Sequence, residues 1–567
     1  MTRVAALQFA SGDDVGENLV TCLRVIDAAA ECCPDVMVLP EFCNHISWYD
    51  NAEHARTVAL ALDGSFLEEI AGRARRHNCY IVINVSLRRS CGLTVTSLLY
   101  SPAGALLAQA DKQTLMGHEN LWFERADRVS EVVNTPVGRL AMFPCRDGVT
   151  FETPRGLALR GAQLFCDSLN SFALDEASLH VPARAPENRC FLAAANKVGP
   201  LIPLDQLDQV SAETGIPRRF LNGAGESQIV SPQGDILARA PREGECFVWA
   251  DIDVDDADCK LRADGSHIFQ NRRPELYGPL VNQPECEAVP NAGETALVAC
   301  LLPPADADAE AALDALPQLV AELPATTRLA VLPELFAQTW PQDGVDTGNI
   351  SAQAVIDAML DACRRRPGLA LCADMVQPVE DAYTLSVVLV SDAGVIASQD
   401  QLHDSARFPG LVKAQRLRTV DLPWCRLALL SADDLRYPET AKLAALAGAQ
   451  VIAVPGRLLE PWEATLALPS RAAENRLSLV YSARPLQGRA GVIATLHEDF
   501  TLMTPWRERA FDGHINQPLL TPQEPGSNCT VATVNPVASL NKLMSTDTDL
   551  LAHRPRHLCA GITAASP

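Results

Sequence analysis

The stretch "FPCRDGVTFE" (143–152) lies without a gap over "LSADDLRYPE" (430–439). Six further landmarks repeat in the same order: "VLPEF" (38–42) with "VLPEL" (331–335), "SPAG" (101–104) with "SDAG" (391–394), "RLA" at 139 and 426, "GAQ" at 161 and 448, "RAPEN" (184–188) with "RAAEN" (471–475), and "RRPEL" (272–276) with "HRPRH" (553–557). A tandem repeat constrains the fold more than any local pattern, because the same packing problem must be solved twice. The offset between copies falls from 293 to 281 residues, so the second copy is slightly shorter, with its losses in the connections. At 567 residues the chain also exceeds what one core organises. We divide it into a first copy at 1–283, a linker at 284–295 and a second copy at 296–567.

Within the first copy, "VAALQFA" predicts a short strand, and Leu19, Cys22, Leu23, Ile26 and Ala30 recur at helical spacing. "DVMVLP" then predicts an apolar strand that ends at Glu41. "LLYSPAGALLAQADK" predicts a hairpin turning at Ala103-Gly104, and "RLAMFPC" one more strand. Strand, helix, strand is the opening of a layered α/β unit. Glu41, Lys112 and Cys145 each fall just past a strand end, where a sheet fixes a residue's position and the loop leaves it exposed.

Bulk composition removes several function classes. A net charge of −23 with no basic run argues against nucleic acid and anionic membrane as partners. The opening "MTRVAALQFA" lacks the pattern of a signal peptide, and no apolar run reaches membrane-spanning length. The 18 cysteines include no C-x-x-C, and no metal-ligand spacing is visible. We expect a cytoplasmic protein with reduced thiols and no metal.

These motifs together resemble the nitrilase superfamily of carbon–nitrogen hydrolases: a Glu after "VLP", a Lys after a hairpin strand, a Cys opening C-x-D with Glu seven residues on, and R-A-x-E-N downstream. Singly, a Cys after an apolar strand is most often a packing residue; the conjunction in this order is what points to chemistry. The resemblance implies two tandem four-layer α-β-β-α sandwich domains. It also implies a Glu-Lys-Cys triad at Glu41, Lys112 and Cys145. A second Glu maps onto Glu119 in "HENLWF", the alternative being an amphipathic turn whose Glu faces water.

In such a triad Glu41 takes the proton of Cys145 as sulfur attacks the substrate carbon. Lys112 and the backbone N–H of Arg146 stabilise the charge that develops on oxygen, and water releases the acid from the thioester, with no cofactor. Arg146 and then Asp147 stand where nitrile-cleaving members carry Trp and then Glu, which tilts the substrate toward a small amide or a carbamoyl (ureido) compound. Nitrile hydrolysis, and acyl transfer from the thioester to an amine, are the alternatives. Arg146, or Arg218 and Arg219 of the inserted segment 201–222, is expected to meet a substrate carboxylate. "VTFE" places Phe151 where the family has Pro, so the turn after Cys145 is expected to be reshaped.

The second copy keeps Glu334 but has Ala432 for Cys145, places Leu402 or Gln399 at the Lys112 position and has no counterpart of Glu119. We expect an inert copy that packs against the first as an intramolecular partner, in the manner of a subunit. Further self-association of the chain is open.

Overall fold

Alternate residues of the first strand, Thr2–Gln8, face opposite ways and thereby generate the layers. Ala5 and Leu7 pack with Cys22 and Ile26 of the helix Val15–Ala29 and with Ile70 of the helix Ser65–His77. Val4 and Ala6 pack with Met142, Leu164 and Ala193 of a second sheet. Strands buried on both faces read as continuous apolar runs, which is how "VAALQFA" and "DVMVLP" read.

The computed structural model describes residues 1–90, 92–282, 295–341, 350–496, 501, 504, 509–524 and 526–564. The expected linker at 284–295 lies outside the described residues except for Thr295. The chain forms two compact units. The first comprises Met1–Lys260 with Leu543–Ile562 and the described residues of Asp499–Asn516; Leu261 to Lys542 otherwise supplies the second.

In the first unit one six-stranded sheet runs Cys246–Ile252, Thr2–Gln8, Val36–Val38, Tyr80–Arg88, Leu93–Tyr100 and Leu106–Asp111. The other runs Ile236–Arg239, Gln228–Val230, Phe191–Ala195, Leu164–Ser168, Gly138–Pro144 and Val132–Thr135. Central neighbours are parallel and the outer pairs antiparallel. The hairpin turns at Gly104, whose φ of +75° and closeness to the Ala71 carbonyl, 2.8 Å from where a Cβ would sit, leave room only for glycine. Helices Glu152–Leu159 and Val181–Asn188 follow strands of the second sheet, completing an α-β-β-α sandwich. The second unit repeats the plan with two six-stranded sheets of the same order of elements, so the chain consists of two tandem sandwiches.

Units and sequence repeats differ in one respect. The first repeat's residues from Leu261 onward belong to the second unit, while Leu543–Ile562 and the described residues of Asp499–Asn516, both of the second repeat, belong to the first. A buried carboxylate needs a counter-charge, and the exchanged tails bring one. In the second unit Arg272 Nε donates to Glu439 Oε1 at 2.9 Å with both side chains fully buried. In the first, Arg554 lies 3.9 Å from Glu152, the residue that matches Glu439. Among the described residues, no helix is long and apolar enough to cross a membrane.

Candidate active site

Glu41 follows Val36–Val38, Lys112 follows Leu106–Asp111 and Cys145 follows Gly138–Pro144. Backbone bonds hold each position: Glu41 N–H donates to the Leu169 carbonyl at 3.0 Å, Lys112 N–H to the Val95 carbonyl at 2.8 Å, and Cys145 N–H to Asp167 Oδ1 at 3.0 Å. Cys145 precedes the short helix Arg146–Val149 with φ 45° and ψ −103°. A residue with a side chain is strained there, and strain of this kind persists only where the surroundings enforce it. Asp147 does so: its carboxylate accepts the N–H groups of Gln113 and Thr114, both at 2.8 Å, tying the turn after Cys145 to the strand end that carries Lys112.

Lys112 Nζ bridges two carboxylates, donating to Glu41 Oε1 at 2.8 Å and to Glu119 Oε1 at 2.9 Å. All three side chains are buried. Glu119 sits on the 3-10 turn Gly117–Leu121 and is held by the Met116 N–H, which donates to its Oε2 at 2.8 Å. It therefore does not face water. Glu41 Oε2 has no hydrogen-bond partner among the described residues.

Burial pushes the Glu41 carboxyl up to about 7, against the opposing pull of Lys112. For Lys112, burial works against the charge, but Glu119 and Glu41 carry its pKa well above the ordinary amine value. Burial, reinforced by Glu41, raises the Cys145 thiol well above its ordinary range. At neutral pH the group is thus an uncharged thiol, an ammonium, and a carboxyl balanced between its two forms, which is the state a base needs to accept a proton and return it.

Glu41, Lys112, Glu119, Cys145 and Arg146 all line one cavity of about 180 Å³. The inserted segment supplies part of its wall through Leu201, Ile202, Val210, Ile216 and Leu221. Arg218 and Arg219 are not at the cavity: Arg218 pairs with exposed Asp208 at 2.8 Å and Arg219 lies over the Phe220 ring. The segment turns Ile202, Val210 and Ile216 inward and both arginines to water, Glu213 being the charge it brings to the cavity wall. Arg146 is buried instead, and its Nε and Nη1 have no partner among the described residues.

Sequence reasoning missed three kinds of contributor. Lys197 is buried, donates to the Phe42 carbonyl at 3.0 Å, and is pushed down to about 8 by burial; its place two residues past the strand Phe191–Ala195 was the available signal. Asn170 and Glu176 line the cavity. So do Ile515, Met544 and Ser545 of the second repeat. Thr548 of the same tail donates through Oγ1 to the Leu115 carbonyl and accepts from Gly117 N–H, both at 3.0 Å, bracing the loop that leads into Glu119.

At the matching place the second unit keeps Glu334 and Asp434 but, among the described residues, neither the lysine nor the thiol. Asp434 accepts the N–H groups of Leu402 and His403, as Asp147 does for Gln113 and Thr114. The Lys112 position is therefore Gln401, between the two residues expected from sequence. Glu334 is instead engaged by Arg407, which also binds Asp433 at 2.9 Å.

A model of the carbon–nitrogen hydrolase family matches residues 3–258 and 296–490. The nitrilase and fragile histidine triad fusion protein NitFhit of Caenorhabditis elegans is 26% identical over 302 residues; the match covers 50% of this chain and 63% of that protein. N-carbamoylputrescine amidase of Solanum tuberosum is 25% identical, with 50% of this chain and 95% of the relative covered. Human deaminated glutathione amidase is 27% identical, with 49% and 84% covered. Among solved structures, an amidase from Nesterenkonia sp. AN1 is similar at 23% identity and a TM-score of 0.37, over 46% of this chain and 96% of that one.

Proposed function

The chain belongs to the carbon–nitrogen hydrolase family, and from that premise we propose that it hydrolyses a non-peptide amide or carbamoyl bond of a small molecule through a thioester on Cys145. The observation that carries the reading is the buried Glu41–Lys112–Glu119 bridge opening on the same cavity as Cys145. Glu41 accepts the thiol proton as Sγ bonds to the carbonyl carbon. Negative charge then builds on the carbonyl oxygen, where Lys112 Nζ and the Arg146 N–H stabilise it. As the tetrahedral intermediate collapses, the carbon–nitrogen bond breaks and the proton held on Glu41 passes to the leaving nitrogen, releasing ammonia or an amine. Water then attacks the thioester, Glu41 taking its proton and returning it to sulfur as the acid departs. Glu119, which takes no proton in these steps, keeps Lys112 an ammonium while Glu41 cycles between its two forms. The absence of Trp and Glu after Cys145 favours amide or ureido substrates over nitriles. We place such an enzyme in the cytoplasm, a reading that rests on the sequence alone, with its net charge of −23 and no basic run.

Intact-mass spectrometry of the full chain with panels of amides, ureido acids and nitriles tests the reading. An acyl adduct mapping to Cys145, absent in Cys145→Ala, with ammonia release is the expected result. Turnover that persists in Cys145→Ala would overturn it.

A further inference from the structure

The two units treat one pair of positions in opposite ways. Arg146 and Glu176 of the first correspond to Asp433 and Glu463 of the second, at the same offset of 287 residues that pairs "RAPEN" with "RAAEN". Glu176 and Glu463 each open a five-residue π-helical turn, Glu176–His180 and Glu463–Ala467. In the second unit both acids are neutralised within the protein: Asp433 pairs with Arg407 and Arg436, and Arg436 Nε also donates to Glu463 Oε1 at 2.8 Å. The first unit has Val149 in place of Arg436.

There, Arg146 and Glu176 are each only 4% exposed and both line the cavity. Arg146 Nε and Nη1 and Glu176 Oε1 have no hydrogen-bond partner among the described residues. The Glu176 carboxylate accepts a long bond from Ser171 Oγ, to Oε2 at 3.3 Å. A buried charge held without a bonded partner is costly. The second unit pairs both acids directly with arginines, whereas Arg146 and Glu176 act on each other, and on Asp147 and His180, only through space.

We infer that the substrate is a small zwitterion, an amide or ureido compound whose carboxylate is taken by Arg146 and whose ammonium is taken by Glu176. The inference rests on the hydrolase reading above and narrows it to a substrate class. Burial lowers the Arg146 guanidinium and raises the Glu176 carboxyl against the through-space support of neighbouring charges, so a directly bonded counter-charge on a ligand favours both ionised forms. Arg146 and Glu176 line the same cavity of about 180 Å³ as Cys145, so one small molecule can meet both while its carbonyl carbon faces the thiol. The size agrees: an apolar cavity of about 150 Å³ holds a benzene, and this one has about 180 Å³.

The full chain is assayed for ammonia release with asparagine (both charges), succinamate (carboxylate alone), β-alaninamide (ammonium alone) and butyramide (neither), and with the set one methylene longer. Binding of the same compounds to full-length Cys145→Ala is measured by calorimetry, so that recognition is read without turnover. In one of the two sets the zwitterion should exceed each singly charged compound at least tenfold, in kcat/KM and in affinity. Arg146→Lys should collapse its advantage over the ammonium-only compound, because a lysine cannot offer a bidentate contact. Glu176→Gln should collapse its advantage over the carboxylate-only compound.

Equal affinity across both sets, or preferences that survive these substitutions, would overturn the inference. So would a failure of all eight compounds to bind. The wild-type ranking decides the matter even where a variant does not fold. Turnover of butyramide as fast as asparagine would sink the zwitterion and spare the hydrolase. Tight zwitterion binding with neither ammonia release nor acylation of Cys145 would do the reverse.

Discussion

Arg407 grips Glu334 through two parallel bonds of 2.5 and 2.7 Å, where Lys112 holds the corresponding Glu41 through one of 2.8 Å. A carboxylate tied at both oxygens has no free oxygen left for a thiol proton, whereas Glu41 Oε2 is without a partner among the described residues. The second unit is thus disarmed at its base as well as at its nucleophile.

Restoring a thiol there should consequently achieve nothing. In a Cys145→Ala, Ala432→Cys double variant of the full chain, we expect no acyl adduct and no ammonia release. An adduct mapped to position 432 would contradict the account.

The acid limb of activity should follow Glu41, held at about 7 by burial. A base must be ionised to act, so kcat/KM should rise with pH through about 7. It should then stay level to about pH 9, because Lys112 remains an ammonium and Cys145 a thiol over that range. Glu41→Gln should cost roughly 10²- to 10⁴-fold, the usual worth of a general base. A profile with its midpoint near 4.5 would mean that Glu41 is not the titrating group.

Thr548→Val keeps the shape of the side chain but removes both bonds to the loop before Glu119. A net contribution of about 1 kcal/mol per bond, taken in full for the two bonds, predicts a fall in kcat of up to roughly thirtyfold. Because the buried Gly117 N–H loses its acceptor, some stability should be lost with it. Unchanged kcat would show that the brace is irrelevant to Glu119.

Arg272→Met leaves Glu439 without this buried partner. Breaking such a pair from one side costs about 3–5 kcal/mol, to be read as a lower midpoint in urea denaturation. Arg272→Met with Glu439→Leu should recover much of the loss, since a well-packed apolar replacement of both partners is often neutral. If the double variant is as unstable as the single one, the uncompensated charge is not the cause.

A chain ending at residue 282 lacks Ile515, Met544, Ser545 and Thr548, all of which belong to the first unit. We expect it to expose apolar surface and to aggregate or self-associate, with most activity gone. Light scattering beside an ammonia assay checks this; a fully active monomer would show that the tail is dispensable.

The repeat, the layered sheets and the positions of Glu41, Lys112 and Cys145 were legible because each is a local pattern: an apolar run, then a polar residue at its end. Glu176 carries no such pattern, although its alignment with Glu463 was there to be noticed. Arg218 and Arg219 misled because charge near a pocket-forming segment says nothing of the side on which it emerges. Gln401 was missed by one position, since only the bonds accepted by Asp434 set the register. The exchange of tails was hidden for a deeper reason: alignment shows which residues correspond, not which copy they complete.

That exchange would make any loss of chemistry from the second repeat a ratchet. Ala432 stands where the first repeat has Cys145, a difference confined to one side chain. Shedding the repeat altogether is another matter, since Arg554, which faces the buried Glu152, would leave with it. Chemistry can therefore erode in a redundant copy while its scaffold stays under selection. A lineage that has passed this point has no single-deletion route back to a one-domain enzyme.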